Sequence, residues 1–157
     1  MPNNFKKHGC SCPICYRERE CSKLQELVIC YLYSKYNLLI KHEFECGIVC
    51  KNPKTLKALP YDNELIINGC KLIIEVNGEQ HYNANCGWNR KEAQRRGITQ
   101  EQVLTDQQYR DKIKKDYAIS QGYHYLEIPY WTEHDESYKS LIDNKIHEIL
   151  SLTQQND

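Results

Sequence analysis

Two acidic residues flank a hairpin signal in residues 61–82, which read YDNELIINGCKLIIEVNGEQHY. Asn68 and Gly69 separate two apolar runs, and this dipeptide is the strongest short-range signal for a two-residue hairpin turn. When the chain is folded about that turn, Asp62 lies directly opposite Glu75, where like charges repel. A divalent cation between the carboxylates removes the conflict, because hard ions such as magnesium prefer carboxylate oxygens. The pattern therefore predicts a magnesium site at the open end of the hairpin.

The alternation of side chains along the two predicted strands assigns the residues to two faces. Asn77 falls on the same face as Glu75, so it joins the candidate site. The other face is apolar enough to pack on a core. We therefore expect one face of the hairpin to be buried and the other to carry the site. The residues on the expected core face are Leu65, Ile67, Cys70, Leu72 and Ile74.

A cysteine cluster at the start of the chain is a second candidate metal site. The chain holds nine cysteines, and in a reducing compartment such clusters more often bind metal than form disulfides. Cys12 and Cys15 form a CxxC knuckle, and a tight turn of this kind supplies two of the four ligands that zinc takes. Cys10 and Cys21 can complete the tetrahedron, and His8 can replace one of them. The sequence therefore predicts a structural zinc knuckle that ends at Cys21.

The other five cysteines are expected to be packing residues rather than metal ligands. Cys46 and Cys50, in the run CGIVC, are typical of half-buried strand positions. A free cysteine otherwise behaves as a small apolar residue. That interpretation applies to Cys30, Cys70 and Cys86.

Composition limits the classes of function. With 157 residues the chain is long enough for one domain with a sizeable core. Lys and Arg together number 21, as do Asp and Glu, so nucleic-acid binding would need local basic patches. No apolar run approaches the roughly 20 residues of a membrane span, and the N-terminus lacks the apolar core of a signal peptide. We expect a cytosolic chain with no membrane partner, and the sequence leaves open whether it forms a homodimer.

Periodicity predicts the order of the elements that must position these residues. A helix starts after Ser22, which fits an N-cap, and a strand with its continuation follows in LIKHEFECGIVC. After the hairpin, a basic insertion spans about residues 84–105 and includes a short helix ended by Gly97. A long helix from about Asp106 to Ser120, a strand in YHYLEIPY and a final amphipathic helix follow. The predicted domains are the zinc knuckle in residues 1–21 and, in residues 22–157, a mixed α/β sheet flanked by helices.

Two runs of the sequence, taken together, carry a family resemblance. They are LPYDNELIINGCKLIIEVNGEQHY and RDKIKKDYAISQGYHYLEIPYW. Between about Ser22 and Trp131 the chain resembles the PD-(D/E)XK nuclease superfamily, and within it the branch related to very-short-patch-repair and phage-type homing endonucleases. The resemblance implies a restriction-endonuclease-like fold in which Asp62 and Glu75 bind magnesium beside the scissile phosphate. Asn77 stands where the superfamily usually has a lysine.

The same resemblance assigns further residues. The Gly-x-x-His that is typical of this branch is Gly78 to His81 in this chain. The family's helix residue before the sheet is usually Glu, and that slot matches Gln25, with Glu26 beside it; which of the two reaches the site stays open. The family's Asp-x-x-Lys on the later helix matches Asp111 and Lys114. Because these two residues are three apart on a helix, an ordinary ion pair between them explains them equally well.

The implied chemistry is phosphodiester hydrolysis, which needs an activated water and stabilisation of the charge that builds up on the phosphate. Magnesium held by the carboxylate pair can supply both. His81, where the strand ends, is a candidate general base or a holder of that water. Gln80 is a candidate for orienting water or phosphate. Gln25 or Glu26 of the first helix is the alternative candidate for activating the water, and a carboxylate there could be the base.

The basic insertion is the clearest candidate for DNA contact. It clusters Arg90, Lys91, Arg95 and Arg96, and phosphate contacts by such side chains give salt-dependent, sequence-independent affinity. A solvated helix face explains the same cluster equally well. Lys114 and the zinc knuckle are further candidates for DNA contact.

Two functions follow from these patterns. The first is a magnesium-dependent DNA endonuclease of the kind carried by phages or mobile elements. The second is a nuclease-fold module that only binds DNA or a partner protein, its site having lost the lysine. The presence of both Asp62 and Glu75 favours the first. The expected cofactors are catalytic Mg²⁺ and structural Zn²⁺.

Overall fold

The computed structural model describes residues 22–38, 40–43 and 45–154, and these form the mixed α/β fold that the sequence predicted. The helices are α1 (Lys23–Tyr36), α2 (Gly87–Arg96), α3 (Gln100–Ser120) and α4 (Tyr138–Gln154). The strands are β1 (Lys41–Glu43), β2 (Cys50–Lys51), β3 (Ala58–Leu59), β4 (Tyr61–Ile67), β5 (Cys70–Asn77) and β6 (His124–Pro129). None of the described helices is long and apolar enough to cross a lipid bilayer.

The main sheet is built around the predicted hairpin. β4 and β5 pair antiparallel with Leu65 opposite Leu72, which confirms the predicted register. Asn68 and Gly69 form the turn with φ angles of 46° and 81°, so both central residues are left-handed, as a type I′ turn requires. β1 pairs antiparallel with β4, and β6 pairs parallel with β5, which gives the strand order β1-β4-β5-β6.

The segment predicted as one strand and its continuation contributes to two different sheets. β1 belongs to the main sheet, whereas β2 pairs with β3 in a separate two-stranded sheet. A turn at residues 45–47 separates the two strands. This turn is fastened to β4, because the Gly47 N–H donates to Glu64 Oε2 at 2.5 Å. The prediction of a continuing strand is therefore wrong at this turn.

Two capping residues fix where the long helices begin. The Ser22 Oγ accepts the Gln25 N–H at 3.2 Å, which confirms the predicted start of α1. Thr99 and Gln102 form a reciprocal capping box, with backbone-to-side-chain distances of 3.2 and 2.9 Å. α3 therefore runs unbroken over 21 residues, and the predicted start near Asp106 is wrong by about two turns. Gly122, with a φ of 79°, lies just past its end, as predicted.

Both faces of the main sheet are buried. On one face, residues of α1 and α4 such as Val28 and Ile142 pack on the β4–β5 hairpin. On the other face, Ala118 of α3 packs against Tyr61 and Ile73. The face that was predicted to carry the site is therefore covered by a helix as well. This face is covered because β5 and β6 are parallel, and two parallel strands need a crossover connection between them. α3 belongs to that crossover and packs on this face of the sheet.

The described cysteines are mostly buried thiols. Cys46 and Cys50 are buried rather than half-buried, and Cys86 is buried and Cys70 partly so. Burial, with the Glu64 carboxylate adding, raises the pKa of Cys46 to about 12, so this thiol is not a reactive one. Cys30 packs on the core as predicted, and it is also disulfide-bonded, which the sequence did not predict. The predicted zinc ligands lie outside the described residues: His8, Cys10, Cys12, Cys15 and Cys21.

Candidate active site

Asp62 and Glu75 hold each other through the backbone at the open end of the hairpin. The paired register of β4 and β5 is regular up to Asn63 opposite Ile74. Beyond it, the Asp62 N–H donates to Glu75 Oε1 at 2.9 Å, and the Val76 N–H donates to Asp62 Oδ2 at 2.8 Å. The predicted proximity of the two carboxylates is therefore present, and side-chain hydrogen bonds take the place of the strand ladder.

A register shift in the neighbouring strand pair falls at Asp62. In the pairing of β1 with β4, His42 is opposite Asn63 but Glu43 is opposite Tyr61, so the register skips one residue of β4 at Asp62. An irregularity of this kind re-aims side chains and is common beside active sites. It explains how Tyr61 and Glu75 can both belong to the face that α3 covers.

The Glu75 carboxylate is buried against a charge of the same sign. Its exposed fraction is 4%. Burial and the neighbouring Asp62 carboxylate raise the pKa of Glu75 to about 8, although Lys114 and the Asp62 N–H act in the opposite direction. The charged form of Glu75 is thus disfavoured, and additional positive charge near its carboxylate would stabilise that form.

Lys114 supplies positive charge to the carboxylate pair. Its ammonium group forms an ion pair with Glu75 Oε2, and its side chain is only 12% exposed. Its Nζ also lies 5.3 Å from the centroid of the Tyr61 ring, and the Tyr61 hydroxyl donates to the Lys114 carbonyl at 2.7 Å. Lys114 was predicted to contact DNA, but in this arrangement it lies inside the candidate site.

His81 is held by an acidic partner on α3. Its Nδ1 lies 2.6 Å from Asp111 Oδ2, and the two side chains are 15% and 17% exposed. Gln107 donates to Asp111 Oδ1 at 2.9 Å, and Arg110 donates to Gln107 Oε1 at 2.5 Å. A carboxylate on one ring nitrogen sets the tautomer and leaves Nε2 for other chemistry. Asp111 therefore pairs with His81, and the alternative ion pair with Lys114 is not formed.

α3 is the element that brings these groups together. Asp111 and Lys114 are three residues apart on the helix, where side chains are neighbours about 5–6 Å apart at Cβ. One holds His81 and the other holds Glu75. Tyr125 is affected by both groups: burial raises its pKa, and the carboxylates of Glu75 and Asp111 raise that pKa further. The histidine and the carboxylate pair thus form one site.

Glu127 is a site residue that the sequence analysis missed. In the parallel pairing of β5 with β6, it lies in register beside Glu75. Glu127 Oε2 forms an ion pair with Lys115 Nζ of α3 at 3.2 Å. The Glu127 side chain therefore points to the face of the sheet that α3 covers. The sequence carried a signal: the runs LIIEV and HYLEI align on their glutamates when the two strands are taken as parallel.

Asn77 and Gln80, both predicted catalytic residues, are engaged elsewhere. Asn77 is buried, and its Nδ2 donates to the Tyr82 hydroxyl at 3.2 Å. The Gln80 carbonyl accepts Asn89 Nδ2 at 3.0 Å, and the Gln80 side chain folds over Gly78, where an added Cβ would come within 2.5 Å of Oε1. Among the residues that the structure describes, neither Asn77 nor Gln80 forms a hydrogen bond with the carboxylate pair.

Three aromatic side chains cluster beside this end of the strands. Tyr82 and Trp131 have ring centroids 4.7 Å apart, and Tyr130 lies 5.3 Å from Trp131. All three are exposed by more than a third. The Tyr82 ring also lies 6.4 Å from that of His81. Such a cluster offers flat surfaces on which nucleobases can stack.

Gln25 and Glu26 lie in the first turn of α1. α1 packs on the face of the sheet that α4 also covers. Asp111 and Lys114 belong to α3, which packs on the opposite face. His81, which pairs with Asp111, therefore lies on the side of the sheet where α3 contacts Glu75. Gln25 and Glu26 belong to a helix on the opposite side.

Two of the four cations of the basic insertion are paired with acidic side chains of the same chain. Arg95 donates two hydrogen bonds to Glu92, at 2.8 and 2.5 Å. Arg96 forms an ion pair with Asp106 at 2.6 Å, and Arg90 donates to a backbone carbonyl. Lys91 is exposed. α2 therefore presents less uncompensated positive charge than the sequence suggested.

The donor chemistry of the carboxylate pair fits a magnesium ion that keeps much of its water. Among the residues that the structure describes, no three His, Cys, Asp or Glu side chains are arranged to hold a metal ion. Magnesium is, however, commonly bound by one or two carboxylates together with substrate phosphate oxygens. Asp62 and Glu75 meet that requirement, and a cation would share Glu75 with Lys114 or replace it.

Comparison with known proteins gave no match to a family model, a curated protein or a solved structure. Function must therefore be inferred from the geometry of the site itself. The features that carry such an inference are the carboxylate pair, the histidine paired with Asp111 and the lysine of α3 that pairs with Glu75.

Proposed function

We propose that the chain is a magnesium-dependent DNA endonuclease of the PD-(D/E)XK type, with a restriction-endonuclease-like fold. One observation carries the proposal. Asp111 and Lys114, neighbours on α3, pair with His81 and Glu75, respectively, near the open end of the β4–β5 hairpin. This arrangement supplies a candidate base, a pair of candidate metal-binding carboxylates and a largely buried cation.

The carboxylate pair and Lys114 act on the charge of the phosphate. Asp62 and Glu75 would hold the metal ion, which lowers the pKa of bound water and neutralises phosphate charge. Lys114 adds an ammonium group that is paired with Glu75. In this proposal Lys114 stabilises the negative charge that develops on the phosphate, in place of the family's lysine, whose position Asn77 occupies. Donors shielded from water stabilise such charge strongly.

His81 acts on the proton of the attacking water. Its Nδ1 faces the Asp111 carboxylate, so a neutral ring carries its proton on Nδ1 and can accept another at Nε2. The Asp111 carboxylate then stabilises the imidazolium that forms. The exposed rings of Tyr82, Tyr130 and Trp131 supply stacking surfaces for bases near the scissile phosphate.

A second candidate function is DNA binding without cleavage. Both Glu75 oxygens already have partners, the Asp62 N–H and Lys114. Asn77 stands where the family usually has lysine, and its amide is directed at Tyr82. These contacts favour a site that has kept the architecture but no longer takes up metal.

A plasmid-cleavage assay with Mg²⁺ separates the two functions. We expect the full chain to nick or cut plasmid DNA, and Asp62→Asn to abolish cutting while DNA binding persists. Asp116→Asn is the matched control, because Asp116 is an exposed carboxylate on α3. Cutting that continues in EDTA, or an Asp62→Asn chain that cuts like the wild type, would refute the metal mechanism. Binding without cutting by the wild type would favour the second function.

The role of His81 has its own test. General-base contributions are typically on the order of 10²–10⁴-fold, so we expect His81→Ala to slow cutting by that factor with DNA binding nearly intact. Gln25→Ala and Glu26→Ala should cut within a few-fold of the wild type. The opposite pattern would assign the base to α1.

A further inference from the structure

The segment that joins β2 to β3 is a compact basic hairpin tip, here called the basic wing (residues 51–57). It carries Lys51, Lys54 and Lys57, all exposed. The sequence contains no Asp or Glu from Cys46 to Tyr61. In the part of the chain that the structure describes, no ion pair neutralises any of the three lysines. The wing is therefore a local concentration of uncompensated positive charge on a chain of zero net charge.

The wing is held in one conformation by its own hydrogen bonds. The Asn52 side-chain oxygen accepts the N–H groups of Lys54 and Thr55 at 2.9 and 3.3 Å. The Asn52 N–H donates to the Lys57 carbonyl at 2.9 Å, and the Leu56 N–H donates to the Asn52 carbonyl at 2.8 Å. The lysines thus project from a pre-formed frame, which reduces the ordering cost of binding a partner.

Leu56 is an exposed residue of the wing in a strained conformation. Its φ is 58°, a left-handed value that a leucine rarely adopts. Its side chain is 73% exposed. A single exposed leucine is ordinary on a protein surface. A leucine with a strained backbone between Lys54 and Lys57 is not ordinary, because backbone strain tends to persist at functional sites.

The wing lies against the helix that builds the candidate active site. Lys54 Nζ is 4.5 Å from the centroid of the Tyr109 ring, and Tyr109 is two residues before Asp111 on α3. At the base of the wing, Cys50 Sγ contacts the Ile113 carbonyl at 4.0 Å. A polyanion that crosses the candidate site along α3 would therefore meet the wing lysines.

We propose that the basic wing binds the phosphate backbone of duplex DNA beside the candidate site, with Leu56 inserted into the groove between the contacted phosphates. The proposal rests on the proposed function, in that DNA is the substrate. It assigns the main phosphate contacts to Lys51, Lys54 and Lys57 rather than to the arginines of α2, two of which are paired with acids.

The test is a salt titration of DNA binding by the full chain, in EDTA so that no DNA is cut. Fluorescence anisotropy of a labelled duplex gives the slope of log K against log salt, which changes by about 0.9 for each phosphate contact on B-DNA. Changing all three wing lysines to Gln should flatten the slope by about 2.7 and weaken binding between 10²- and 10³-fold at 0.1 M salt. The matched control removes the same charge elsewhere, through Lys23→Gln, Lys139→Gln and Lys145→Gln.

A second variant isolates the apolar contact. Leu56→Asn removes the apolar side chain, and asparagine tolerates a left-handed φ, so the wing keeps its shape. We expect binding to weaken several-fold with an unchanged salt slope. Unaltered affinity would overturn the role of Leu56.

The outcomes distinguish this proposal from the proposed function. A wild-type slope in the triple lysine variant, with metal-dependent cutting intact, overturns the wing proposal alone. Loss of the slope in that variant, in a chain that binds DNA but never cuts it, supports the wing and refutes the nuclease. If the triple lysine variant lost binding to phosphatidylserine vesicles but bound DNA like the wild type, the proposal would also be overturned, because the three lysines would then bind a lipid surface.

Discussion

Replacing Lys114 by methionine should make stability depend more steeply on pH in alkaline solution. Methionine keeps most of the volume but leaves Glu75 without its ion-pair partner. The pKa of Glu75 is raised from 4.5 to about 8 in the folded chain. Between those values the folded state holds a proton that the unfolded state has lost, so stability falls as pH rises, by about 1.4 kcal/mol per pH unit. Above about pH 8 this dependence ends in the wild type.

The magnitude of the effect follows from the lost ion pair. An opposite charge at this range lowers a carboxyl pKa by about 1–3 units, so in Lys114→Met the pKa of Glu75 should rise above 8 by that amount. The variant therefore continues to lose stability where the wild type has levelled off. At pH 9.5, which is 1.5 units above 8, the extra loss is about 1–2 kcal/mol relative to the difference at pH 6.

Urea denaturation in EDTA at pH 6.0, 8.0 and 9.5 measures this difference. Lys112→Met is the matched control, because Lys112 is also on α3 and ion-paired, to Asp116, but its side chain is 73% exposed. An exposed pair of this kind contributes under about 1 kcal/mol. Parallel stability curves for the wild type and Lys114→Met from pH 6.0 to 9.5 would show that Lys114 does not control Glu75.

Three further changes test other contacts. Asp111→Asn removes the anionic partner of His81 and should slow DNA cutting at least about 10-fold and at most by the 10²–10⁴-fold of a general base; a wild-type rate would contradict the pairing. Glu64→Gln places an amide where a carboxylate accepts the Tyr123 hydroxyl and the Gly47 N–H, and urea denaturation should show a loss of about 1–3 kcal/mol. Gly69→Ala forces a side chain onto a φ of 81° and should cost about 1–2 kcal/mol; an unchanged midpoint would refute the strained turn.

Matched variants accompany these three changes. Asp116→Asn controls for the loss of a carboxylate on α3 and should cut DNA like the wild type. Tyr123→Phe removes one of the two Glu64 contacts and should cost less than Glu64→Gln. Ile66→Ala, at an exposed position of the same hairpin, separates turn strain from general weakening of β4. A Glu64→Gln chain as stable as the wild type would contradict the role of that contact in fastening the 45–47 turn.

The sequence predicted the hairpin because its determinants are local. Asn68 and Gly69 set the turn type, and the turn sets the register of every pair up to Asn63 and Ile74. The proximity of Asp62 and Glu75 follows from that register. The cap at Ser22 and the stop at Gly122 were likewise readable, because they depend on a few consecutive residues.

The partners of the site residues could not be read from local pattern. Lys114 reaches Glu75, and Asp111 reaches His81, only because α3 packs across the sheet, which is a tertiary effect. The spacing of three residues alone left an ion pair within the helix and a role in the site equally open. The position of Glu127 beside Glu75 needs the parallel register of β5 and β6, which no turn signal specifies.

The order of the strands also determines which strand edges are open to pairing with another chain. The two edges of the main sheet are β1 and β6. β1 is only three residues long, and its pairing is already interrupted by the register shift. β6 ends at Pro129, which has no N–H to offer another chain. Short, irregular or proline-terminated edges discourage the edge-to-edge pairing that leads to aggregation. The register shift at Asp62 thus also shortens the strand surface that is open to a second molecule.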